Sequence, residues 1–97
     1  MPFEAVTERK FTAGMIQFYA PATPGIYGIA NSKGWILIGT SDNIRGALLA
    51  HFVDRFSLLS KHAPTTFVFE RCEEPIRTRR QKRLLLEYSP ACNYGSL

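Results

Sequence analysis

The sequence predicts a small single-domain α+β fold with a three-stranded antiparallel sheet flanked by helices, and three observations carry that expectation. A β-hairpin pattern occupies residues 26–40. An apolar stripe at helical spacing follows it, and a last β-rich run near 67–72 leads into a second helical pattern. At 97 residues the chain has room for one domain, and 45% hydrophobic residues are enough for a packed core rather than disorder.

Residues 1–23 read as an N-terminal arm ahead of a domain at 24–97. Phe3, Phe11, Met15, Ile16, Phe18 and Tyr19 give a pattern compatible with helix or strand. The stretch APATPG, Ala20 to Gly25, breaks it. Ile26 to Ala30 suits a strand, Asn31-Ser32-Lys33-Gly34 is turn chemistry, and Trp35 to Thr40 suits a second, largely buried strand. Ser41 or Asp42 supplies a helix cap, after which Ile44, Leu48, Leu49, Phe52 and Phe56 form one apolar stripe. Residues 57–66 read as a loop, and a third strand begins at Phe67 and runs to about Cys72. Glu73, Glu74 and Pro75 form a helix start, since acidic side chains favour the N-terminal dipole and proline loses nothing in the first turn. That helix turns Ile76, Leu84, Leu85 and Tyr88 inward and stops before Pro90.

The net charge of +4 favours a polyanionic partner. The opening ten residues carry Glu4, Glu8, Arg9 and Lys10, which is not a signal-peptide pattern, and no apolar run is long enough to span a bilayer. The expectation is a cytoplasmic protein, with Cys72 and Cys92 as free thiols and no membrane partner. Cys72, Cys92, His51 and His62 lack metal-ligand spacing, so no metal site is expected.

Gly25-Ile26-Tyr27 and, ten positions beyond, Leu37-Ile38-Gly39 stand at matching points of the two hairpin strands. The stretch TSDNIRGALLAHF follows, and the C-terminal part carries Leu84-Leu85, Tyr88, Pro90 and Asn93. In this order, over roughly residues 24–93, these segments resemble a GIY-YIG nuclease domain. The resemblance implies phosphodiester hydrolysis by two tyrosines, an arginine from the first helix and a metal-holding glutamate from the last.

Carried over position by position, the first tyrosine is Tyr27, the second falls on Leu37, the arginine on Ala47 and the glutamate on Gln81. Arg45 is about 200° around the helix from Ala47 and should point elsewhere. Glu74 and Glu87 do not stand at the family's spacing from Asn93. Tyr27 and His51, which follows Ala47 on the same helical face, are vestigial catalytic candidates. The alternatives for these two are a half-buried strand tyrosine and a histidine favoured by the helix C-terminal dipole. Arg79, Arg80, Lys82 and Arg83 are the nucleic-acid-binding candidates, set against a merely solvated helix face. Leu37 and Ala47 in place of polar groups imply an apolar former site, covered by the arm or by another copy of the chain.

The leading expectation is therefore a non-catalytic relative that binds nucleic acid, DNA in preference to RNA, or a protein partner including itself, and needs no cofactor. The alternative is a metal-dependent DNA endonuclease with an altered site, which would use Mg²⁺.

Overall fold

The computed structural model describes residues 7–54 and 62–88. In chain order the elements are β1 (Arg9–Lys10), α1 (Ala13–Tyr19), β2 (Gly25–Asn31), β3 (Gly34–Ser41), α2 (Ile44–Val53), β4 (Thr66–Arg71) and α3 (Ile76–Tyr88). The sheet is antiparallel with the order β1-β4-β2-β3. It carries one strand more than the sequence predicts. The extra strand is two residues long, too short to leave a periodic trace, and exists because Arg9 and Lys10 pair with Phe67 and Thr66.

The arm region is helix and strand in turn. Thr12 caps α1 through its hydroxyl, which accepts from the Met15 amide at 3.2 Å. The Arg9 guanidinium lies 4.0 Å from the Tyr19 ring centroid, holding β1 against the end of α1. Phe11 and Ile16 enter the same core as Ile29, Ile44, Leu48 and Phe67.

The sheet separates two cores. On one face, α1 and α2 cover Tyr27, Ile29 and Phe67. On the other, α3 packs Leu84 on Ile26 and Ile38. Alternation along β2 produces this split: Tyr27 and Ile29 point one way and Ile26 the other. Among the described residues no helix is long and apolar enough to cross a membrane.

The hairpin turn is built by Asn31, whose Oδ1 accepts from the amides of Lys33 and Gly34 at 2.8 and 3.1 Å. The cap of α2 is Asn43 rather than Ser41 or Asp42; its Oδ1 accepts from the Gly46 amide at 2.9 Å. Ser41 instead closes a tight turn with Asn43, and Asp42 pairs with Arg77 at 3.0 Å. On the stripe of α2, Ile44 and Leu48 are buried, Phe52 lies at the rim, and Phe56 falls outside the described residues. The third strand predicted to reach about Cys72 ends at Arg71. The last helix begins just after Pro75, and Ile76, expected inward, is exposed. The Glu74 carboxylate accepts from the Thr78 amide and hydroxyl, which holds its carboxyl below the usual range.

Gly25 is where three elements meet. A Cβ there would fall on the Glu70 carbonyl oxygen and lie 2.5 Å from Ile44 Cδ1. The carbonyl belongs to the β2–β4 pairing and cannot swing away cheaply. Gly25→Ala should therefore destabilise the fold by about 2–3 kcal/mol, the upper range for overpacking a tight core. Urea unfolding of the variant beside the parent measures this.

Candidate functional site

The position of α2 is fixed at its first turn. The Ile44 and Arg45 amides donate to the carbonyls of Thr23 and Pro21 at 3.1 and 3.0 Å, and Arg45 Nε donates to the Ala20 carbonyl at 2.8 Å. The loop after α1 thus satisfies helix amides that have no partner within the helix. Arg45 is committed to that loop, on the side of α2 away from Ala47.

With α2 held this way, its last turn brings His51 over the sheet. Tyr27 Oη and His51 Nε2 are 3.0 Å apart, and the rings are 5.7 Å apart at 52°. Tyr27 is 6% exposed. Burial pushes the phenol up to about 12. The His51 imidazole is held below its ordinary value of 6.5, chiefly by burial, against an opposing pull from Asp54. Over the neutral range this is a hydrogen bond between two uncharged groups.

Gly39 makes room for the pair. It stands opposite Tyr27 on β3, and a Cβ there would lie 2.5 Å from Tyr27 Oη and 2.6 Å from Cζ. The tyrosine ring lies across a strand that has no side chain at that point, which is how it reaches α2. Leu37, two residues earlier, and Ala47, one turn before His51, are both partly buried against the same core as Tyr27.

Gln81 is on the other side of the sheet's edge. Its Nε2 donates to the Ile38 carbonyl at 3.3 Å, while Arg77, one turn earlier, donates to the Ser41 carbonyl at 2.8 Å. The two side chains fasten α3 along β3.

The arginines of α3 divide into two groups. Arg80 grips Glu70 with Nε at 2.7 Å and Nη2 at 3.0 Å, a two-pronged ion pair. Arg79, Lys82 and Arg83 are exposed and form no ion pair with any described residue. Ile76, Arg79, Arg80 and Arg83 line an open groove. Ile76 and Leu86 flank the cations with 60% and 85% of their surface exposed. Ile76, Arg79, Arg83 and Leu86 lie within about 80° of one another on the helix, facing away from Leu84.

Of the candidates read from sequence, Tyr27 and His51 are in direct contact, and Leu37 and Ala47 border the same core. Arg79, Lys82 and Arg83 share an outer face, from which Arg80 is drawn aside. The sequence reading missed Gly39 as the element that seats Tyr27, and Arg77 and Gln81 as fasteners. Only the GIY and YIG-like triplets hinted at Gly39; the fasteners needed the helix-to-strand register, which no local pattern carries.

No protein-family model and no curated protein sequence matches this chain. Two solved structures are similar to it. Both are the GIY-YIG N-terminal endonuclease domain of UvrC from Thermotoga maritima, as tyrosine-to-phenylalanine point mutants bound to the catalytic divalent cation. Identities are 18% and 19%, and each comparison has a TM-score of 0.68 over 81% of this chain and 94% of the other. The likeness shows the fold: this chain is built as GIY-YIG endonuclease domains are.

The residues described here do not suit such a cation. Hard divalent metals prefer carboxylate oxygens. Position 81 offers an amide already donating to Ile38, Tyr27 and His51 are bonded to each other, and no three His, Cys, Asp or Glu side chains converge among the described residues.

The buried pair makes stability depend on pH at both ends. His51 has a depressed value in the fold, so its contribution is full above about pH 6.5 and is lost as pH falls through the depressed value. Tyr27 has a raised value, so its contribution is full below pH 10 and is lost as pH rises towards about 12. Spectrophotometric titration should show one tyrosine ionising near pH 12 that Tyr27→Phe lacks. Urea unfolding should show His51→Gln losing less stability than the parent between pH 7 and pH 5; equal losses would mean that His51 does not carry the acid dependence.

Proposed function

We propose that this domain, with its GIY-YIG endonuclease fold, holds a nucleic acid, DNA in preference to RNA, on the outer face of α3 and does not cleave it. The observation that carries the reading is the exposed trio Arg79, Lys82 and Arg83 beside the open groove of Ile76, Arg79, Arg80 and Arg83. Exposed cations keep their counterions until phosphates displace them, and that release drives binding. Ile76 and Leu86 offer apolar surface to sugars between phosphate contacts.

The non-catalytic part rests on what stands at the positions that resemble the family's site. Leu37 and Ala47 bring no charge and lie against the core, and Gln81 supplies an amide where a metal-holding carboxylate would be needed. Tyr27 is neutral in the working range and bonded to His51, so there is no phenolate to take a proton from water.

The Tyr27–His51 contact favours a second reading, metal-dependent hydrolysis of phosphodiester bonds in DNA by an altered site using Mg²⁺. A phenol and an imidazole within hydrogen-bond reach are a proton-transfer pair once a substrate separates them.

One experiment weighs both. A labelled DNA duplex is titrated with the protein at several salt concentrations, with and without Mg²⁺ or Mn²⁺, and cleavage is read in the same tubes. Binding should weaken steeply with salt. Replacing Arg79, Lys82 and Arg83 together by alanine should flatten the log–log salt dependence by about two to three units. No cleavage is expected. Binding unchanged in the triple variant would remove the role of α3, and metal-dependent cleavage lost in Tyr27→Phe would establish the second reading in place of the first.

A further inference from the structure

At the hairpin end of the molecule Trp35 and Tyr88 stand with ring centroids 5.1 Å apart and planes at 46°. Both are half-buried, and with Asn31, Lys33, Ile36 and His62 they line an open cavity. A second cavity on the other side of the turn shares Asn31, Lys33 and His62. No acidic side chain is among the described residues lining either one. The floor is firmly built: besides closing the turn, Asn31 donates through Nδ2 to the His62 carbonyl at 2.6 Å.

The cavity lies at the C-terminal end of α3 on the flank that meets β3, and the cationic groove lies on the flank that meets β4. That helix follows β3 from Arg77 at Ser41, through Gln81 at Ile38, to Tyr88 at Trp35. From Arg83 to Tyr88 the helix rises about 7.5 Å. Tyr88 is also about 140° around the helix from Arg83, so a strand whose phosphates rest on Arg79 and Arg83 crosses over α3 and reaches the cavity after several nucleotides.

We infer that this cavity takes an unpaired nucleobase of the nucleic acid held by α3, stacked on the Trp35–Tyr88 wall, with its phosphate on Lys33. The inference rests on the α3 reading above and adds a preference for single-stranded ends or gaps to it. Every base has a π-face, so an aromatic wall with a nearby cation accepts bases without regard to sequence. The described lining residues include no carboxylate to repel the phosphate that accompanies the base.

Trp35 is the only tryptophan in the chain, so its fluorescence reports this cavity directly. The intact protein is titrated with a blunt DNA duplex and with the same duplex carrying a short thymine overhang, reading the anisotropy of a label on the DNA and the emission of Trp35. The overhang should bind about tenfold tighter than the blunt end, the gain expected of one stacked base, and should quench Trp35 where the blunt duplex does not. Lys33→Ala and Tyr88→Ala should each erase most of that gain, and Tyr88→Phe, which keeps the ring, should restore it. The Phe variant separates loss of stacking from damage to the helix end. Blunt and overhang duplexes binding equally, with no quenching, would overturn the base site while leaving the α3 surface standing. Failure of both duplexes to bind would overturn the two together.

Discussion

Strand β2 has neither a face nor an edge left for water. From Gly25 to Ala30 every residue is buried, with β4 on one side, β3 on the other, two helices above and one below. A strand enclosed in this way imposes tight conditions on its neighbours. Gly25 must lack a side chain so that the β4 backbone and Ile44 can close in, and Gly39 must lack one so that the Tyr27 ring can lie across β3. Tyr27 in turn determines where the last turn of α2 can sit, because the phenol needs a partner once it is removed from water. The candidate site follows from this enclosure: a polar pair is buried between sheet and helix, and the surroundings are apolar.

Two kinds of information were unequally legible. The hairpin was readable because turn chemistry is local, and Asn31 does there what an asparagine at the start of a tight turn does. Two of the three described helices, and the strand that begins near Phe67, were readable because each has one buried face and shows it as period. The arm was not, since α1 has seven residues and β1 two, and such short elements exist only by tertiary contact. The cap of α2 was misplaced by one residue from Asp42, or two from Ser41, because Ser, Asp and Asn all cap well and a distant residue, Arg77, draws Asp42 away. Within the site, the helical count that put His51 on the face of Ala47 is a matter of spacing; its bond to Tyr27 is a matter of strand-to-helix register, and sequence has no measure of that.

The basic run of α3 shows the same limit for charge. A helical wheel groups Arg79, Arg80 and Arg83, but it does not know what lies beside the helix. Glu70 on β4 claims Arg80, and Asp42, Glu74 and the Ser41 carbonyl claim Arg77. Two cations thereby serve the fold and three face solvent. On the reading proposed here, the division matters more than the total, since phosphates compete poorly with a two-pronged carboxylate but well with water.

The fastening of α3 also bears on how the molecule behaves in a crowded solution. An edge strand presents unpaired backbone groups that invite a strand from another molecule, and β3 is an eight-residue edge. Gln81 and Arg77 bond its carbonyls at Ile38 and Ser41 and hold α3 along it, so an incoming strand meets a helix there. The opposite edge, β1, is two residues long and carries Arg9 and Lys10. Protection against aggregation on one side is therefore structural and on the other is a matter of brevity and charge. A partly unfolded form that releases α3 exposes the longer edge first, with the apolar side chain of Ile38 along it.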